Sequence, residues 1–226
     1  MRKSALVMAG SLALGAAACM QPALAAESVV QAPMAQRTAD EGNGLKTAIF
    51  AGGCFWGVEA VFSHTKGVTS AVSGYHGDTE RSAKYDIVSS GVTDHAEAVK
   101  VTYDPSVIRY DQLLRIYFSV ITDPTQLNRQ GPDRGAHYRS ALVPMSAEQN
   151  EVAKAYIAQL KAAKVWDKPI VTRIERAQAF YPAETYHQDF AQKNPNHGYI
   201  VRWDAPKVAA LKRMYPGVYS ASFQRN

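Results

Sequence analysis

One cysteine in this chain of 226 residues stands where a nucleophile could work. Cys54 lies in the stretch KTAIFAGGCFW, residues 46–56, where an apolar run (Ala48, Ile49, Phe50, Ala51) reads as a buried strand. Gly52 and Gly53 break the run, and Phe55, Val58, Val61 and Phe62 then recur at helical spacing. The sulfur therefore falls where a strand hands over to the first turn of a helix. Backbone N–H groups in such a turn lack intrahelical partners and carry partial positive charge. A thiolate is favoured there, so the Cys54 pKa is expected below its free value of about 8.5. The two glycines are expected to leave the approach to sulfur uncluttered. The competing reading is a buried cysteine that packs as a small hydrophobe.

The elements that position this thiol begin well inside the chain. Arg2 and Lys3, the apolar stretch from Ala5 to Ala18, and Ala23-Leu24-Ala25 together read as a secretory signal peptide over residues 1–25. Cys19, preceded by Ala17 and Ala18, is a weaker lipoprotein-like processing point, since Ala16 replaces the usual large aliphatic residue. Cleavage after Ala25 leaves Cys54 as the only cysteine of the two in the chain. An exported protein with one cysteine has no internal disulfide, and a free thiol in an oxidising compartment is a liability unless buried or used. The expected location is periplasmic, with no stable membrane contact after cleavage. Losing Arg2 and Lys3 lowers the formal charge from +5 to +3, and the remaining basic residues are scattered. No nucleic-acid partner is expected.

Residues 26–44, rich in Ala, Gln, Pro and Gly without apolar periodicity, read as a flexible linker. A domain over 45–200 follows, with residues 201–226 as a loop-rich tail holding a short helix from Pro206 to Met214. Within the domain the order is strand, helix, strand, strand, helix, strand, helix, strand. Ala96 to Tyr103 alternates as a half-buried strand, and Tyr110 opens an amphipathic helix. Ser146 caps a long helix with Gln149 as its capping-box partner, and Pro169 to Arg176 reads as a strand. Residues 122–138 lack periodicity, and an aperiodic loop of that length is usually functional. This order predicts an α+β, two-layer sandwich with a mixed sheet and a split βαβ, ferredoxin-like core. No nucleotide-binding glycine motif and no metal-ligand histidine spacing occur, so no bound cofactor or metal is expected.

Five stretches in order, GGCFWGVEAVF, GYHGD, HAEAVKVTYDP, DPTQLNRQGPDRGAHYRS and FYPAETYHQDF, resemble the peptide methionine sulfoxide reductase A family over residues 46–198. The resemblance implies an α/β sandwich that reduces methionine S-sulfoxide, free or in proteins. It makes Cys54 the nucleophile, ending as a sulfenic acid, and Glu97 the acid that protonates the oxygen. For that task the Glu97 pKa must be raised by burial. Tyr85 and Tyr138 match hydroxyls that bond the sulfoxide oxygen, and Phe55 and Trp56 an aromatic pocket for the methyl group. Asp133 matches a residue that binds substrate backbone or orders the loop. His187 is read as a structural histidine, and Glu97, by its strand alone, as an exposed carboxylate.

Four positions depart from the family pattern. The tail after Asn194 has no cysteine, and Ser89 stands where many relatives carry one. The resemblance therefore implies a one-cysteine form whose sulfenic acid is reduced by an external thiol, either a thioredoxin-like dithiol or glutathione with glutaredoxin. Asp78 and Asp94 replace common glycines, and Thr122 a common histidine. A monomer is the default expectation. Two other classes compete: a thiol peroxidase, and a non-catalytic module that binds oxidised methionine.

Overall fold

The computed structural model describes residues 29–224. The expected leader, with Cys19, lies outside the described residues. In chain order the elements are β1 (Lys46–Gly52), α1 (Phe55–Ser63), β2 (Val68–His76), α2 (Tyr85–Ser89), β3 (Ala96–Tyr103) and α3 (Tyr110–Ile116), which runs on as a π-helical turn through Ile121. Then come β4 (Arg129–Gln130), β5 (Asp133–Arg134), β6 (Ser140–Val143), α4 (Ala147–Ala163), β7 (Arg173–Ile174), β8 (Phe180–Pro182), α5 (Phe190–Lys193) and α6 (Ala205–Met214).

The main sheet has the order β7-β6-β1-β3-β2-β8, mixed because β6 and β7 run parallel while its other pairs are antiparallel. Its four central strands, β6-β1-β3-β2, are linked strand–helix–strand–strand–helix–strand, which is the split βαβ arrangement expected. Strand alternation separates the two faces. Phe50, Val99, Val101, Tyr103 and Leu142 join α1, α3 and α4 in the main core, whereas Ile49, Ala51, Ala96, Ala98, Ala141 and Val143 form a thin apolar layer behind. Glu97 shares its row with Val99 and Val101, so β3 aims it at the helix side.

Four expectations change. The strand expected over residues 169–176 shrinks to Arg173–Ile174, and the aperiodic loop contains the β4–β5 hairpin and a 3-10 turn, Ala136–Tyr138. The residues 29–44 expected as a flexible linker form instead a strap across α3 and α4. Ala32 and Ala39 are buried there, with their N–H groups donating to Ser119 Oγ and Asp111 Oδ1. Tyr156 and Gln159 donate to the carbonyls of Pro33 and Met34. The strap is held through backbone groups, so no apolar period marks it. The tail, finally, is part of the domain: α6 buries Ala210 and Leu211, and Asp204 just before it packs on α1.

Ser146 does cap α4, accepting the Gln149 N–H at 3.1 Å. The Gln149 side chain reaches one residue further back than a capping box requires, to the Met145 N–H, and binds strap residue Glu41.

Candidate active site

Cys54 occupies the N-cap position of α1, half-buried, and is the one free cysteine among the described residues. Gly53 before it has φ +93°, a left-handed conformation natural to glycine. A Cβ on Gly53 would stand 2.6 Å from Gln130 Cβ. The glycine thus admits the buried Gln130 from β4 rather than leaving open space. Gly57 in the first turn works similarly, since a Cβ there would fall 2.3 Å from Asp204 Oδ1.

Glu97 is 1 % exposed, and its Oε2 accepts the Phe55 N–H at 2.9 Å. The bond satisfies an orphan amide of α1 and places the carboxyl beside Cys54. Burial pushes the Glu97 pKa up to about 8, against the opposing pull of the Phe55 N–H and with help from Asp133 and Asp204. Glu97 is thus buried, unlike the exposed carboxylate that its strand alone suggests, and keeps its proton at neutral pH.

The thiol departs from expectation. Its pKa lies well above the ordinary value, chiefly because burial penalises the thiolate and then because Glu97 and Asp204 face it, with a smaller effect from Asp133. The Trp56 backbone N–H acts in the opposite sense. A helix N-terminus contributes about 0.3–1 kcal/mol at the surface, too little against desolvation and gathered carboxylates. The resting group is a thiol.

The two tyrosines converge on it. Tyr85 opens α2 and Tyr138 closes the 3-10 turn, and both feel the charges of Glu97 and Cys54. Burial raises both phenol pKa values, so each hydroxyl remains a donor. Asp133, on β5, acts electrostatically on Cys54, Glu97 and both tyrosines, and accepts a short hydrogen bond from Tyr199.

Trp56 is stacked on Phe190 with centroids 3.7 Å apart and meets Tyr199 edge-on. Its indole Nε1 donates to His187 Nδ1 at 3.1 Å, which places the imidazole proton on Nε2. His187 also touches Phe55 and Tyr85, at 5.0 and 4.5 Å between centroids, and burial lowers its pKa. It is thus a neutral, buried histidine that aligns the aromatic wall.

Several further residues build the site, three of them within the FYPAETYHQDF stretch. Glu184 accepts the Tyr85 N–H and the Tyr75 hydroxyl, each at 2.9 Å. Gln188 bonds both the N–H and C=O of Ser73, standing in for a neighbouring strand. Together they seat the His187 turn against β2. Tyr199, Phe190 and Asp204 come from the C-terminal region, where spacing singles out none of them.

A soft nucleophile, a protonated carboxylic acid, two phenol donors and an aromatic wall suit reduction of a polarised S–O bond next to a methyl group. Residues 46–216 match the family model described as peptide methionine sulfoxide reductase. The chain belongs to that family.

A reductase of Mesorhizobium japonicum named MsrA 2 is 56 % identical over 177 residues, covering 78 % of this chain and 91 % of the relative. One from Deinococcus radiodurans named MsrA is 47 % identical over 186 residues, 80 % of this chain and 90 % of its own length. Among solved structures, reduced Mxr1 of Saccharomyces cerevisiae superposes with a TM-score of 0.62 at 36 % identity, covering 70 % of this chain and 90 % of that one.

The departures from the peptide methionine sulfoxide reductase pattern have places in the structure. Thr122 is buried and donates to Gln130 Oε1 at 2.6 Å, holding the glutamine over Gly53. Asp78 accepts the N–H groups of Thr79 and Asp94, tying two loops together. Ser89 ends α2, one turn from Tyr85.

Proposed function

We propose that this chain reduces methionine S-sulfoxide, free or in oxidised proteins, to methionine, with Cys54 as nucleophile and Glu97 as acid. The observation that carries the reading is the buried Glu97, protonated near neutrality and bonded to the amide next to Cys54. The substrate methyl group packs on Phe55 and Trp56 while Tyr85 and Tyr138 donate to the sulfoxide oxygen. Cys54 Sγ bonds to the substrate sulfur as Glu97 gives its proton to that oxygen. The carboxylate so formed takes up the thiol proton, so the acid is restored within the turnover. The hydroxyl then leaves the substrate sulfur for Cys54 Sγ as the S–S bond breaks and its electron pair returns to that sulfur, giving a sulfenic acid and methionine. Asp133, with Tyr199, binds the substrate backbone; separate places for methyl and oxygen restrict reaction to one epimer, and its assignment as S is what the family resemblance implies.

With no second cysteine among the described residues, regeneration uses two external thiols. The first condenses with the sulfenic acid, releasing water and forming a mixed disulfide. The second displaces the Cys54 thiol and leaves the reductant oxidised. A thioredoxin-like dithiol or glutathione with glutaredoxin supplies them. The leader motif supports action in the periplasm.

Turnover of a chromophore-labelled methionine S-sulfoxide, compared with dithiothreitol, glutathione and a thioredoxin system, tests the reading. Activity abolished by Cys54→Ser is expected. Peroxide consumption without sulfoxide turnover, or stoichiometric binding without methionine formation, would instead favour a peroxidase or a binding module.

A further inference from the structure

Next to Tyr138 in the chain, Arg139 anchors a polar cluster that the proposed chemistry does not use. Arg139, buried, and Glu175, half-buried, form a two-pronged ion pair: Nε donates to Oε1 at 2.7 Å and Nη2 to Oε2 at 3.1 Å. The same guanidinium grips two backbone carbonyls. Nη1 donates to Ala136 O at 3.1 Å, the start of the 3-10 turn that ends in Tyr138. Nη2 donates to Asp94 O at 3.0 Å, three residues before Glu97.

Each end of this assembly is fixed independently. The Glu175 N–H donates to Leu142 O, which ties the carboxylate's own backbone to β6. The buried His76, at the end of β2, places Nδ1 3.7 Å from Glu175 Oε2 while its Nε2 accepts the Gln178 N–H. Asp78 accepts the Asp94 N–H, so the peptides about the gripped carbonyl are held from both directions. Gly77, at φ +123°, makes room: a Cβ there would stand 2.6 Å from Asp94 O and 3.1 Å from Arg139 Nη2.

We infer that the Arg139–Glu175 pair is a clamp that fixes the separation of Tyr138 and Glu97, making both members positioning residues for the reduction. The inference rests on the roles proposed above for those two groups. A buried ion pair is a weak source of stability, since its desolvation offsets the attraction. Its planar, two-pronged geometry fixes orientation, and lysine cannot reproduce it. Here one rigid fork meets the turn carrying the oxygen donor and the peptide leading into the strand carrying the acid. Small misplacements of reacting groups cost far more in rate than in binding.

The test is kcat and KM toward a methionine S-sulfoxide, with dithiothreitol, for Glu175→Gln, Arg139→Lys, Tyr138→Phe and the doubles with Tyr138→Phe. Thermal midpoints and the rate of Cys54 alkylation are recorded beside them. Glu175→Gln and Arg139→Lys are each expected to lower kcat by about 10- to 100-fold at unchanged KM. Added to Tyr138→Phe, either should lower it no further. An unchanged kcat in both, or a loss that persists in full on the Tyr138→Phe background, would overturn the inference. Failure of both variants to fold would assign the pair to stability and overturn it too. Wild-type kcat in Tyr138→Phe alone would instead sink the role given to that tyrosine.

Discussion

Glu97 reaches across from β3 to cap the catalytic helix, its Oε2 2.9 Å from the Phe55 nitrogen. One bond therefore orients the acid and fills the amide vacancy next to the nucleophile. Because burial holds the pKa near 8, activity is expected to fall as pH rises through about 8, where Glu97 loses its proton. Glu97→Gln should lower kcat by about 10²- to 10⁴-fold and remove that alkaline limb, which a pH–rate profile reads directly.

The same group has a stability signature. Its folded pKa exceeds the unfolded one, so above about pH 4.5 the unfolded chain releases a proton that the native state keeps. Unfolding free energy contributed by Glu97 thus declines between about pH 4.5 and 8 and is flat above. Glu97→Gln should be the more stable protein at pH 8.5, with the difference vanishing near pH 4. Thermal midpoints of the two proteins across that range check the sign; a wild type more stable at pH 8.5 would contradict it.

Asp204 touches Gly57 and is among the carboxylates that hold the Cys54 pKa up. Asp204→Asn removes the charge and keeps the shape, so the thiolate fraction at pH 7 should increase. Iodoacetamide is expected to alkylate Cys54 faster in the variant, with its pH midpoint displaced downward. No displacement would mean that Asp204 does not act on the thiol.

Tyr85 and Tyr138 are expected to act on the oxygen in the transition state rather than on substrate affinity. Tyr85→Phe and Tyr138→Phe should each lower kcat, by up to about 10²- to 10³-fold, the range for one oxyanion donor. KM should stay near the wild-type value. Steady-state kinetics with a single labelled sulfoxide distinguishes the two quantities.

The Trp56 wall should show the reverse pattern. A methyl or sulfur contact with an aromatic face is worth about 0.3–1.5 kcal/mol, so Trp56→Leu should raise KM about 2- to 12-fold. His187→Phe, which removes the acceptor for the indole N–H, should raise KM as well, through loss of the Trp56 orientation. A fall in kcat alone would place these residues in the chemical step.

The nucleophile and its setting were legible because they are local: strand, glycine pair and helix start sit within eleven residues. The strand order was legible too, since alternation in β3 and the periodicity of α3 and α4 follow from burial of one face. The thiol pKa was misread for the complementary reason. Helix position can be seen from residues 52–58, but the carboxylates that oppose it come from positions 97, 133 and 204. The Asp133–Tyr199 bond joins two segments without regular period, 66 residues apart. Glu184 and Gln188 work largely on backbone atoms, and no residue type at the far end announces such a contact.

The strap has a consequence in time. Ala32, Gln36, Arg37 and Ala39 bond to partners 72 to 123 residues further along, on α3, its π-helical turn and α4. Those partners emerge from the ribosome long after the strap itself, so a segment made early is among the last to lock. Until α3 and α4 exist, the strap has nowhere to dock. We expect Ala32 and Ala39 amides to gain protection late in refolding, after the central strands. Pulsed hydrogen exchange would reveal that order, and early protection would mean that the strap guides folding instead of closing it.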